Sequence, residues 1–127
     1  MTIHADDNTL RQQLQALKQR DVQQLELRLS ADLPGRRQTV RIARQSGSEL
    51  VADTTISTDA DDDLRNDIFR WNDRYPLVTF RLTDRQLSAR IQIAADINID
   101  EQHALIGYLA RLADQLEYDI AKGRDVH

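Results

Sequence analysis

The stretch Leu64–Ile93, LRNDIFRWNDRYPLVTFRLTDRQLSARIQI, decides how the rest of the chain reads. It holds the only tryptophan, both phenylalanines and one of the three tyrosines. Leu64, Ile68, Trp71 and Tyr75 recur at helical spacing, and Phe69 stands about 100° beside Ile68, so the apolar stripe is wide. Pro76 pushes Tyr75 out of helical geometry and ends the helix. The period then changes to two. Val78, Phe80 and Leu82 face Leu87, Ala89, Ile91 and Ile93, a hairpin with one buried face and one wet face. Its turn, Thr83-Asp84-Arg85-Gln86, reads as longer than the two-residue type.

Working upstream, Thr58 and Asp59 open this helix, and Asp61, Asp62 and Asp63 sit in its first turn, where the helix dipole favours negative charge. Before it, Leu50, Ala52, Thr54 and Ile56 alternate with Val51, Asp53 and Thr55. Thr39–Arg44 alternates as well, between the turns Leu33-Pro34-Gly35 and Gln45–Ser48. Leu25, Leu27 and Leu29 form a third alternating segment with Glu26 and Arg28. These three segments predict an antiparallel meander. Leu10, Leu14 and Leu17 mark an earlier helix, with Thr9 and Gln12 as a capping box. A single helix from Thr9 to Leu29 is disfavoured because it puts Asp21 on the apolar face. Residues 1–8 are polar and read as a frayed start.

Downstream, Asn98 and Glu101 make a capping box for a last helix. Leu105, Leu109, Leu112, Leu116 and Ile120 form its stripe, and Gly123 its stop. The expected fold is therefore α+β: a twisted, mainly antiparallel sheet with helices packed on it, in the order α-β-β-β-α-β-β-α. The 127 residues suit one domain, with an ordered core over about residues 9–122.

Composition excludes several functions. With no cysteine there is no disulfide framework, thiolate zinc site or cysteine nucleophile. The opening MTIHADDNTLRQQ carries no secretory signal pattern, and no run approaches the ~18 apolar residues of a membrane span. A cytoplasmic, membrane-free protein is expected. The net charge of −4 argues against general nucleic-acid binding, which rests on neutralising phosphates. No nucleophile elbow or phosphate loop is present. His103, near Asp100 and Glu101, and the Asp59–Asp63 run read as solvated helix starts, so no catalytic residue, metal or cofactor is expected.

The segment Asn66–Phe80, NDIFRWNDRYPLVTF, resembles the YbjN family, described as bacterial sensory transduction regulators. Asn72, Pro76 and Phe80 fall in that pattern, as does Asp100-Glu101 opening the last helix. The family is similar in fold to class I type III secretion chaperones, small acidic dimeric proteins that bind segments of partner proteins. The resemblance implies a non-enzymatic protein-binding module, regulatory or chaperone-like, that forms a homodimer and meets a protein partner or client. Two alternatives are a dedicated secretion chaperone for one client, and a small-molecule-binding domain or small enzyme. The candidate partner or dimer surface is Ile68, Phe69 and Phe80, where the apolar stripe is wider than a core needs. A second candidate is the basic cluster Arg36, Arg37, Arg41 and Arg44, which has no aromatic residue interleaved.

Overall fold

A computed structural model describes residues 2–28, 37–45 and 47–125. Its elements are β1 (Thr2–Ala5), α1 (Asp7–Ala16), β2 (Val22–Arg28), β3 (Arg37–Arg44), β4 (Leu50–Ser57), a 3₁₀ turn (Asp62–Leu64), α2 (Arg65–Arg74), β5 (Thr79–Thr83), β6 (Gln86–Ile93) and α3 (Ile99–Asp125). The expected order is present behind one additional strand, and the six strands make one mixed sheet in the order β1-β2-β3-β4-β6-β5. Residues 2–5 are thus not frayed. β1 runs parallel to β2, with Ile3 opposite Leu25 and Ala5 opposite Leu27. Ile3 and Ala5 face the core while His4 faces out, an alternation too short to register as a strand in the sequence.

α1 ends where the sequence changes period, and β2, β3 and β4 form the antiparallel meander. The cap of α1 is Asp6 rather than Thr9: the Asp6 carboxylate accepts the Thr9 N–H at 2.8 Å, which makes Thr9 the third helical residue. The Arg44 guanidinium closes the other end. It donates to the carbonyls of Leu14 at 3.0 Å and Leu17 at 3.3 Å, and to Ser48 O at 3.2 Å. A cation therefore sits on the negative end of the helix dipole.

Alternation sorts the strands into two faces. Leu25, Leu27, Val40, Ile42, Leu50, Ala52, Ile56, Phe80, Leu87, Ala89, Ile91 and Ile93 are buried in one cluster with α1 and α3. α3 crosses β3, β4 and β6, and α2 rests on β5. Asn98 caps α3 as expected, its Oδ1 accepting the Glu101 N–H at 2.9 Å. The buried stripe of α3 is Ile106, Leu109, Ala110, Ala113 and Leu116, with Leu105, Leu112 and Ile120 half-buried at its margin. Ala110 and Ala113 let the helix lie close to the sheet. α3 continues through Gly123 to Asp125, because a glycine near a helix end costs only about 1 kcal/mol relative to alanine and does not by itself terminate. Among the described residues no helix is long and apolar enough to cross a membrane.

Candidate partner-binding surfaces

The β5–β6 hairpin places both surfaces of interest. β5 ends at Thr83 and β6 begins at Gln86, so the loop is Asp84-Arg85. Both residues have positive φ, 51° and 68°. The expected longer turn is in fact a tight two-residue hairpin of the primed kind, which matches the right-handed twist of its strands. Its Arg85 guanidinium pairs with Asp59 and Asp61, and Ala60 N–H donates to Arg85 O at 2.8 Å. The aspartates before α2 therefore belong to a bracing contact, and helical geometry begins at Asp62 rather than Asp59.

α2 is a short helix held by its termini and by one amide. Asp67 lies in its first turn and Arg74 in its last, each matching the dipole. Tyr75 leaves helical geometry at φ −119°, ψ 76°, before Pro76. Leu64, Ile68, Trp71 and Tyr75 are half-buried against the core. Trp71 and Tyr75 pack on Phe80 with ring centroids 5.6 and 6.2 Å away, both tilted, as aromatic quadrupoles prefer. Between them Asn72 reaches β5. Its Oδ1 accepts the Phe80 N–H at 2.8 Å, and its Nδ2 lies 3.4 Å from the Phe80 carbonyl. β5 is an edge strand, so these backbone groups face away from β6. The carboxamide satisfies them as a neighbouring strand would, and it blocks further pairing at Phe80.

This arrangement separates the predicted apolar residues. Phe80 is 3% exposed and is the platform for Trp71 and Tyr75, so it offers no side-chain surface to a partner. Ile68 is half-buried against the core. Phe69 is 77% exposed, and Leu77, in the turn after α2, is 61% exposed. An apolar ring in water, about 100° beside the stripe that pins the helix, is the feature of this face.

The basic residues lie across the sheet. Arg36 is outside the described residues. Arg37 and Arg41 project from the face opposite the helices, whereas Arg44 points to the helical side and caps α1. Arg37 donates to Glu26 Oε1 at 2.9 Å, and His4 Nδ1 lies 3.2 Å from the same oxygen. The Arg37 hydrogen bond, with a smaller contribution from His4, holds the Glu26 carboxyl below its ordinary range. Arg41 donates twice to Asp53 Oδ2, at 2.9 and 3.2 Å. Arg81 and Arg90, which lie outside the predicted basic cluster, line a shallow concavity of ≈ 390 Å³ on this face with Arg41, Asp53, Thr55, Thr79 and Ser88. Both occupy outward positions of the hairpin already visible in its alternation. The predicted residues that are described therefore do not converge: Ile68, Phe69 and Phe80 belong to the helical side, and Arg37 and Arg41 to the bare one.

His103 is half-buried on α3, and the adjacent Asp100 pairs with Arg11 of α1. Among the described residues no group of three His, Asp or Glu side chains lies close enough to hold a metal ion. No protein-family model and no curated protein matches this chain.

Proposed function

We propose that the chain is a non-enzymatic protein-binding module, regulatory or chaperone-like in the YbjN manner, that self-associates through the outer face of α2. The observation that carries this reading is Phe69, exposed on a helix whose Trp71, Asn72 and Tyr75 are committed to β5. Removing its ring and that of its copy from water contributes roughly 25 cal/mol per Å² of apolar surface, against the cost of association. A two-fold dimer is the simplest assembly, since the same patch then meets itself. The α-β-β-β-α-β-β-α order behind β1 is the one expected of a type III secretion chaperone-like fold and supports the same reading. The test is light scattering over a concentration series extending to high micromolar. A dimer mass supports the proposal, and a monomer throughout removes its self-associating surface.

A further inference from the structure

The bare face of the sheet has a composition unlike that of the whole chain. Its outward positions hold Arg28, Arg37, Arg41, Arg81 and Arg90 against Glu26 and Asp53, with a third carboxylate, Glu49 just before β4, accepting from Gln92 at the margin of the same face, in a protein whose net charge is −4. Register sets these charges in rows. Gln24, Arg41, Asp53, Arg90 and Thr79 are successive cross-strand partners from β2 to β5. In the next row Arg81 lies opposite Ser88, and Ser88 opposite Thr55.

All three carboxylates are already engaged, Glu49 by the Gln92 amide. Glu26 is held by Arg37 and His4, and Asp53 by Arg41. The side chains of Arg81 and Arg90 have neither a hydrogen bond nor an ion pair among the described residues. They stand as diagonal neighbours on adjacent strands, a separation of about 7–8 Å that is somewhat less between their Cβ atoms. Carboxylates on alternate residues of an extended chain are spaced about 6.5–7 Å, close to that separation. Between and beside the guanidiniums lie Thr55, Thr79 and Ser88, small polar groups able to bond to a peptide backbone. None of the described outward strand residues is Phe, Tyr or Trp, the stacking platforms that single-stranded nucleic acid chiefly uses, and the one imidazole, His4, lies at the far edge on β1.

We propose that this concavity binds an acidic peptide segment of a protein partner, with two of its carboxylates on Arg81 and Arg90. The inference rests on the chain being a protein-binding module, but it uses the side of the sheet away from α2. The probe is a short fluorescein-labelled Glu-Ser repeat, titrated with the full chain at low salt and read by anisotropy. Its affinity falls as salt rises, because contacts at this open face are screened within about 10 Å at 0.1 M salt. Arg81→Ser with Arg90→Ser weakens binding about tenfold, as two exposed ion pairs of this kind account for. Arg65→Ser with Arg70→Ser, which removes the same charge from α2, leaves the affinity unchanged. Equal weakening by both pairs would reduce the effect to net charge and overturn the proposal. Tighter binding of an oligothymidylate, lost with Arg81 and Arg90, would overturn it in favour of nucleic acid. Phe69→Asp, measured in the same titration, keeps full peptide affinity, so failure of the α2 surface and failure of this one are read separately.

Discussion

Replacing Asn72 with alanine should loosen α2 from the sheet without touching the core. The carboxamide makes one strong bond, Phe80 N–H to Oδ1 at 2.8 Å, and one weak one, Nδ2 to Phe80 O at 3.4 Å. A net hydrogen bond contributes about 1 kcal/mol, so Asn72→Ala should cost about 1–2 kcal/mol. For a chain of this length that lowers Tm by about 4–8 °C. Hydrogen exchange localises the effect. The Phe80 amide, protected on a free sheet edge by a side chain alone, should lose protection out of proportion to the global loss, while Ala89 across the hairpin keeps its own. Asn72→Asp sharpens the test. The carboxylate still accepts the N–H, but its second oxygen opposes the Phe80 carbonyl. The variant should therefore be at least as unstable as alanine at neutral pH, and its deficit relative to wild type should narrow below pH ~4, where a protonated carboxyl regains a donor. Unchanged Tm and unchanged Phe80 protection in Asn72→Ala would refute the clamp.

Arg44→Met keeps the aliphatic stem but removes every donor to the Leu14, Leu17 and Ser48 carbonyls. It should cost about 1.5–3 kcal/mol in urea unfolding, and Arg44→Lys should recover only part, because a single ammonium does not span three acceptors. The Glu26 carboxyl is lowered chiefly by Arg37, and that of Asp6 by the Thr9 backbone N–H. A depressed carboxyl contributes stability at neutral pH that is lost as pH falls through the carboxylate range. Urea midpoints for Glu26→Gln should thus fall less steeply than wild type between neutral pH and pH ~3; parallel curves would contradict the Glu26–Arg37 interaction.

Much of the fold was legible because hydrophobic periodicity is a direct imprint of burial. The alternation at Val78–Ile93, the break between Leu17 and Leu25, and the Asn98 cap are all present as the residues imply. What escaped depended on partners distant in sequence. β1 is four residues long, and its pairing with β2 carries no local signature. The Asp84-Arg85 turn needs two positive φ angles at residues that are not glycine, a choice supported by the contacts of Arg85 with Asp59 and Asp61. The candidate surfaces were half legible. Phe69 follows from its offset on the α2 stripe, but Phe80 reads as core first and as partner surface second until Trp71 and Tyr75 are seen to cover it. Arg36, Arg37, Arg41 and Arg44 form a cluster in sequence, yet strand alternation sends Arg44 to the helical side while Arg81 and Arg90 arrive from another hairpin.

The proposed division of α2 into a face committed to Phe80 and a face offered to a second copy is tested most directly by light scattering and thermal melting of Phe69→Asp and Trp71→Asp. Phe69→Asp should convert the dimer to monomer while leaving Tm near that of wild type, because a carboxylate is costly at a dry interface and free in water. Trp71→Asp should cost more than about 3 kcal/mol and abolish the cooperative melt or shift it far down, because it removes the ring stacked on Phe80 and sets a charge against the core. A monomeric wild type, or a Phe69→Asp protein that melts as low as Trp71→Asp, would contradict this assignment.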